Sequence, residues 1–508
     1  MTVTTTAPTL RAEASAVGAP PGPGSIPARL HEWVLARPGA VAVRDPSEAL
    51  TYRELWDASG RAAAGLARHG VGVDDVVEVA LEPGTTAVAS MLGALRLGAA
   101  VAAVDPRWPA RRRDQLAERL SPVVSVGADG TGTTLATDLL AGAPMPETAA
   151  PVDAAATAAV FFTSGSSGEP KLVASPHHAL TRLTGAGRTL FPEPGAVMLQ
   201  ASRPGWDVLS LETWAPLCAG GTTHVIRGGV FPDALVAAVA AGVDHAWITS
   251  SVLNLLVDED VTCLAGLRQV LTGGEVLSPQ HVACLRAAHP TLDIVNGYGP
   301  VESCVFATTH HVGAVQQDRD IPIGRPVADT DVRLVGGDGD PLADEPDEGE
   351  IWISGLGLAD GYLGDPDRTA EAFVAPVPDG ARWYRTGDLG RRDDEGLLHF
   401  AGRLDRQVKV RGARVQPEEL EAVAANLLGC PCAVVPVPGR WSGYDRLALF
   451  VVGAAPEGPG TVRRQLAAQL PKHLVPDVVR FVPHLPTTPN GKVDTAGLLQ
   501  TLTGTGGH

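Results

Sequence analysis

An apolar run, Ala158 to Phe162, opens directly onto Thr163-Ser164-Gly165-Ser166-Ser167-Gly168-Glu169-Pro170-Lys171, and no other stretch of the chain restricts the fold as much. The run predicts a buried strand. Behind it, small residues let backbone amides approach an anion, while hydroxyls and one ammonium complete a cradle, so the segment reads as a phosphate loop. The spacing is not the Walker pattern, because Pro170 separates Gly168-Glu169 from Lys171 and no Ser or Thr follows the lysine. A kinase or P-loop ATPase is disfavoured accordingly. A flexible linker is the bland alternative, but a linker is rarely entered from an apolar strand. Ser175-Pro176 predicts a helix N-cap and first turn, which puts the loop between a strand and a helix and leaves His177 and His178 facing solvent without a role.

The 40 basic residues include only four lysines, Lys171, Lys409, Lys472 and Lys492, so arginine is the default cation. Positions that still carry the compact ammonium are candidates for specific chemistry. A 44% apolar content over 508 residues is ample for a buried core and excludes a largely disordered chain. No apolar stretch is long enough to span a membrane, and a net charge of -17 argues against a nucleic-acid binder. The six cysteines, Cys218, Cys263, Cys284, Cys304, Cys430 and Cys432, lack paired metal spacing and read as reduced thiols of a cytoplasmic protein.

Short apolar strands such as Val77 to Leu81 alternate with helical patterns such as Thr86 to Leu97, which predicts layered α/β structure. Near Gly402-Arg403-Leu404-Asp405 the pattern changes to a strand at Gln407 to Arg411, a turn at Gly412 and a helix from Pro417 to Leu428 closed by Gly429. Further helices are expected from Thr461 and after Asp494. The expected organisation is a disordered leader over residues 1–25, a large α/β domain over 26–404 and a small mobile α+β domain over 405–508.

Several motifs bear on chemistry. Asn296-Gly297-Tyr298-Gly299-Pro300-Val301-Glu302 brings together a ring for stacking and a carboxylate that can supply an oxygen to Mg²⁺. Asp388, in Tyr384-Arg385-Thr386-Gly387-Asp388, suits two ribose hydroxyls, and Arg403 can reach ribose or phosphate. Lys492 follows the turn dipeptide Asn490-Gly491, and Asp494 can cap the helix behind it. Taken singly, each would more often be a turn or surface residue. Together with Leu50-Thr51-Tyr52, Asp105-Pro106 and the phosphate loop, in this order, they resemble the adenylate-forming superfamily of acyl-CoA synthetases, luciferases and nonribosomal peptide synthetase adenylation domains. The resemblance spans about residues 26 to 498.

The resemblance implies ATP and Mg²⁺ as cofactors. Thr163 to Gly168 (Thr163, Ser164, Gly165, Ser166, Ser167 and Gly168) and Lys171 would hold the phosphates, Gly273-Gly274-Glu275 and Asn296 to Gly299 the adenine, Asp388 and Arg403 the ribose, and Glu302 the metal. Lys492 would bridge the substrate carboxylate and the α-phosphate, with Thr163, Lys171 and Glu302 as further catalytic groups. A hinge is implied at Asp405, and a thiol channel at Gly412. In the implied reaction a carboxylate displaces pyrophosphate from ATP, and a thiol then captures the acyl-adenylate.

Trp206-Asp207-Val208 resembles the peptide-synthetase segment whose aspartate pairs with a substrate ammonium, although a helix-capping Asp would look the same. The carried-over pocket is Asp207, Val208, Leu211, Trp247, Leu271, Gly273, Gly297, Val305, Phe306 and Lys492. It is apolar between its charged ends, closed by Trp247 and Phe306 and widened by the two glycines, which is most like valine-selecting pockets. Other aliphatic amino acids, a β-amino acid and an ammonium-free acid of an acyl- or aryl-CoA ligase stay open, as does a non-catalytic scaffold. Leu172, Val301 and Gln416 depart from the residues usual in the family. The expected acceptor is the phosphopantetheine thiol of a separate acyl or peptidyl carrier protein, as in peptide antibiotic synthesis, by a free-standing, monomeric enzyme. The need for a small activator protein is left open.

Overall fold

The computed structural model describes residues 24–127, 134–145, 151–163, 170–184, 194–313, 319–337, 346–375, 380–439, 443–453, 458–486 and 493–503. The leader expected at 1–25, the loop Ser164 to Glu169 and the turn lysine Lys492 lie almost wholly or wholly outside these residues.

Two large sheets carry the chain. In the first, parallel strands Asp293–Tyr298, Gln269–Gly273, His245–Thr249, Val197–Gln200, Thr222–Val225 and Val41–Arg44 lie side by side. In the second, Thr157–Thr163, Ala100–Ala103, Val76–Ala80 and Val124–Gly127 do the same. Parallel strands need both faces covered. Accordingly Val43 and Met198 of one sheet and Val77 and Val79 of the other share a core with Leu55, Leu92 and Trp214 from helices Tyr52–Arg68, Thr85–Arg96 and Asp207–Cys218. Separate clusters cover the outer faces. Every residue of Thr85–Arg96 except Thr86 is buried, as an apolar helix between two layers must be.

The expected α/β layering is present, with one local correction. Lys171–Pro176 is a strand antiparallel to Thr157–Thr163, with Thr163 opposite Lys171, so the phosphate loop joins two strands. The short helix begins only at His177 and has no side-chain cap, because Ser175 is already committed to the ladder. His177 is fully buried and accepts from the Ile26 amide at 3.3 Å; His178 is half-buried against the Leu356 carbonyl. Neither faces solvent.

A third sheet, of Thr330–Val335, Glu348–Gly355, Trp383–Arg392 and Leu398–Arg403, packs where the two large sheets end; its core includes Phe161, Val173 and Tyr298. After Arg403 a new sheet begins, with hairpin Val408–Val410 and Ala413–Val415 beside Tyr444–Val452, Cys432–Pro438 and Val478–Val482. Helix Pro417–Leu428 starts on a proline, carries Glu418 and Glu419 in its first turn and ends at left-handed Gly429. That is a good match of charge and cap to the helix dipole. Thr495–Thr503 follows Asp494, whose Oδ1 accepts the Gly497 amide at 2.9 Å.

Helices Tyr52–Arg68 and Thr85–Arg96 touch at Gly93, where a Cβ would lie 2.6 Å from that of Ala62 and 2.9 Å from the Ala63 amide. Gly93→Val is expected to force the layers apart, at about 1–3 kcal/mol, and to lower the thermal unfolding midpoint of the large domain while an exposed Gly→Val control does not.

Candidate functional site

The cleft forms where the three sheets of the large domain meet the C-terminal hairpin. Its lining includes Thr163, Asp207, Val208, Trp247, Gly297, Tyr298, Val305, Phe306, Asp388, Arg403, Lys409, Gly412 and Arg414, around a cavity of about 130 Å³. Thr163 ends its strand here with a buried hydroxyl that has no hydrogen-bond partner among the described residues. Across the ladder the Lys171 ammonium sits 5.1 Å from the Tyr362 ring centroid. Burial, reinforced by Arg414, pulls this lysine down to about 8. It remains the compact cation of the phosphate end.

Glu302 is fully buried, accepting from Tyr362 Oη at 2.8 Å and from Arg414 Nη1 at 2.8 Å. Burial alone would push its carboxyl up. Arg414 and Lys171 outweigh that and hold it at about 2, so it is anionic at neutral pH.

Asp207 opens helix Asp207–Cys218 and points into the cleft. Its oxygens accept the Val208 amide at 3.0 Å and the Val305 amide at 2.9 Å. Burial raises its pKa against those bonds and the Lys409 charge. The wall beside it is Val208, Val305, Trp247 and Phe306, the last two rings 5.4 Å apart. Leu211 and Leu271 pack behind this wall in the shared core.

The two glycines do not widen the pocket. A Cβ on Gly297 would lie 2.1 Å from the Phe306 ring, and one on Gly273 would lie 2.1 Å from the Gly297 carbonyl and 3.1 Å from Trp247. The Phe306 ring fills the space at Gly297, and the Gly297 carbonyl, with Trp247 beside it, fills that at Gly273.

Tyr298 donates to Asp388 Oδ2 at 2.6 Å, and Arg403 closes on the other oxygen. Arg403 also grips Asp405 through Nε at 2.6 Å and Nη2 at 3.0 Å. Asn296 instead turns away, donating from Nδ2 to the Pro322 carbonyl at 2.8 Å. Gly274 lines the cleft, and Glu275 accepts the Gly412 amide at 2.7 Å.

Sequence reasoning gave the hairpin a thiol channel at Gly412 and marked Lys409 only as one of four lysines. Lys409 is half-buried near Asp388, Glu275 and Asp207, with its pKa lowered by burial and by Arg414 against those charges. Arg414 is oriented by Gln407 at 2.7 Å and reaches Glu302. Arg112 and Glu419 form a buried pair at 3.1 Å between the large domain and helix Pro417–Leu428, and His473 sets its ring edge-on to Trp206 at 6.2 Å. The scarcity of lysine pointed to Lys409. Nothing marked Arg414 among so many arginines.

A buried acid beside Lys171 and a C-terminal hairpin that enters the cleft fit the adenylate-forming superfamily. The AMP-binding enzyme model matches residues 30–363, and the AMP-binding enzyme C-terminal domain matches residues 420–492. The chain belongs to the AMP-binding enzyme family. It is 35% identical to phosphinothricin tripeptide synthetase PhsC of Streptomyces viridochromogenes, over 94% of this chain and 45% of that protein. It is 31% identical to tyrocidine synthase 3 of Brevibacillus parabrevis, over 91% of this chain and 7% of that protein. The solved structure of PA1221, a nonribosomal peptide synthetase protein containing adenylation and PCP domains, superposes with a TM-score of 0.84 at 33% identity, covering 94% of this chain and 97% of that one. The chain spans between 6% and 45% of the curated relatives it matches. Among the described residues no helix is long and apolar enough to cross a membrane.

Because Glu302 lies at about 2 in the folded chain against an ordinary 4.5, the unfolded chain binds more protons between those values. Its stabilising contribution is therefore complete above about pH 4.5 and is lost as pH falls through about 2. The stability advantage of wild type over Glu302→Gln in urea titrations is expected to be flat near neutrality and to shrink steadily below about pH 4.5.

Proposed function

We propose that the chain activates an aliphatic amino acid, valine or a near neighbour, as its adenylate and passes the aminoacyl group to the phosphopantetheine thiol of a carrier protein in trans. The observation that carries this reading is Asp207, an acid fixed at the rim of an otherwise apolar pocket. Two backbone amides pin its oxygens but leave lone pairs for a third donor. A substrate ammonium fills that place with a charge-assisted bond. An ammonium-free acid would leave the Asp207 carboxylate only the Lys409 charge, which Glu275 and Asp388 share, and this disfavours the acyl- or aryl-CoA ligase reading. A β-amino acid keeps the ammonium and remains the second reading.

The carboxylate oxygen of the substrate forms a bond to the α-phosphorus as the bond to pyrophosphate breaks. The carrier thiol then forms a thioester at the acyl carbon, releasing AMP. Thr163, Lys171 and the loop Ser164 to Gly168 serve the phosphates, Tyr298 and Gly274 the base, Asp388 and Arg403 the ribose. Glu302 suits a magnesium ligand, being one ionised carboxylate at the phosphate end, which is how Mg²⁺ is usually held beside nucleotides; the ion neutralises phosphate charge when bound. Here the same carboxylate holds Arg414, and Gly412 lies against Glu275. The described arrangement thus fits the thiol-transfer half, with Lys409 taking the place of a positive charge among Asp207, Glu275 and Asp388. Lys492 would serve the first half after rotation at Asp405.

The test is amino-acid-dependent exchange of labelled pyrophosphate into ATP across aliphatic α- and β-amino acids, with fatty and aryl acids as controls. Strong exchange with valine or a neighbour is expected. Asp207→Ala should lower kcat/KM for the amino acid by about 10- to 100-fold, the worth of a charge-assisted bond, and Lys492→Ala should abolish exchange. Exchange with ammonium-free acids alone would overturn the amino-acid reading.

A further inference from the structure

Behind the pocket wall lies a buried cation with no place in the chemistry described so far. Arg182 follows the short helix His177–Thr181 and is completely buried. Its Nη2 donates to the Ser303 carbonyl at 2.9 Å and to the Phe306 carbonyl at 2.7 Å. These oxygens bracket Cys304 and Val305, both in left-handed conformations, at φ 50° and 67°. For a β-branched residue such a φ is a true outlier, held only where surrounding structure over-determines it.

Three contacts do so. Arg182 takes the carbonyls at both ends, Asp207 Oδ2 takes the Val305 amide between them at 2.9 Å, and Gly299 lies beneath, where a Cβ would come within 2.4 Å of the Val305 carbonyl. The guanidinium is itself fixed from behind: a Cβ on Gly357 would lie 2.2 Å from Nη2. What the turn delivers is specific. Val305 and Phe306 face the cavity opposite Trp247, and the Val305 amide orients Asp207.

We propose that Arg182 is a positioning residue for side-chain selection: it holds the strained Cys304–Val305 turn, and thereby sets both the apolar wall and the orientation of Asp207. The proposal rests on the amino-acid reading for the identity of the substrate, though not for the existence of the wall. Glu302, next to the turn, has its carboxylate held separately by Tyr362 and Arg414. Loss of the clamp should therefore affect recognition of the acid and leave ATP handling alone.

The experiment compares wild type with Arg182→Met, Arg182→Lys and Gly357→Ala, the last displacing the guanidinium while keeping it. Pyrophosphate exchange is measured over a graded series of acids, alanine, 2-aminobutyrate, valine, isoleucine and their ammonium-free counterparts. Hydrogen exchange over residues 299–308 is followed without substrate. The preference for the best acid over its one-methylene neighbour, about 10–200-fold in an apolar pocket, is expected to fall towards unity in Arg182→Met and Gly357→Ala. KM for the acid rises while KM for ATP holds, turn amides exchange faster, and Arg182→Lys, which keeps charge without the planar fork, lies between. An unchanged ranking of acids, or an unchanged turn in hydrogen exchange, overturns the proposal even if the variants are less stable. Should wild type activate only ammonium-free acids, the amino-acid reading falls, and the ranking among those acids still decides the role of Arg182.

Discussion

A carboxylate shut away from water organises the cleft. Glu302 is fully buried, and an ionised acid in that setting is tolerable only with cations and donors close by. Lys171 from the strand Lys171–Pro176, Tyr362 from the third sheet's core and Arg414 from the C-terminal hairpin all converge on it. These groups come from elements far apart in sequence. The requirement to neutralise one buried charge therefore ties the first large sheet, which carries Glu302 after Asp293–Tyr298, the second, which carries Lys171 and Tyr362, and the small domain to one point. It also makes that point sensitive to removal of the guanidinium that the C-terminal hairpin supplies.

The architecture of the C-terminal sheet bears on that removal. One of its faces packs Val410, Val415 and helices Pro417–Leu428 and Pro459–Ala467. The other packs Val493 and Leu498 of the last described segment. In the hairpin Val408, Val410 and Val415 turn to the first face, so Lys409 and Arg414, one residue out of step, turn to the other and into the cleft. In the proposed reading, two half-reactions sharing one active site require rotation, and Asp405, gripped by Arg403 at the junction, is the natural place for it.

The sequence made much of this legible, and the reasons for the failures are physical. Strands and helices with strong period or caps, such as Thr85–Arg96 and Pro417–Leu428 with Gly429, lay close to where the pattern put them. Ser175-Pro176 misled because a cap signal is local, whereas the antiparallel pairing that claims Ser175 is set by a partner strand across the loop. His177 likewise is buried by Ile26, 151 residues away in sequence, which no window around it could show. Cleft residues with a distinctive side chain at a motif were readable, as with Asp207 and Tyr298. Arg112, Arg182 and Arg414 were not, because in an arginine-rich chain a functional guanidinium carries no local mark.

The glycines of the pocket show how residues can be read from the sequence with the wrong physical role. Gly273 and Gly297 read as room for substrate, on the principle that a missing side chain leaves space. In the folded chain they are paired neighbours on adjacent strands, and that space is taken by Phe306 and Trp247. Their effect is to let the Phe306 ring close on Gly297 and the two strands approach at Gly273, so the pocket is bounded by aromatic surface. Rigid walls discriminate by shape where flexible ones yield. In the proposed reading, selection among small aliphatic side chains then depends less on the volume of the cavity than on how firmly Phe306 is held by the backbone turn behind it.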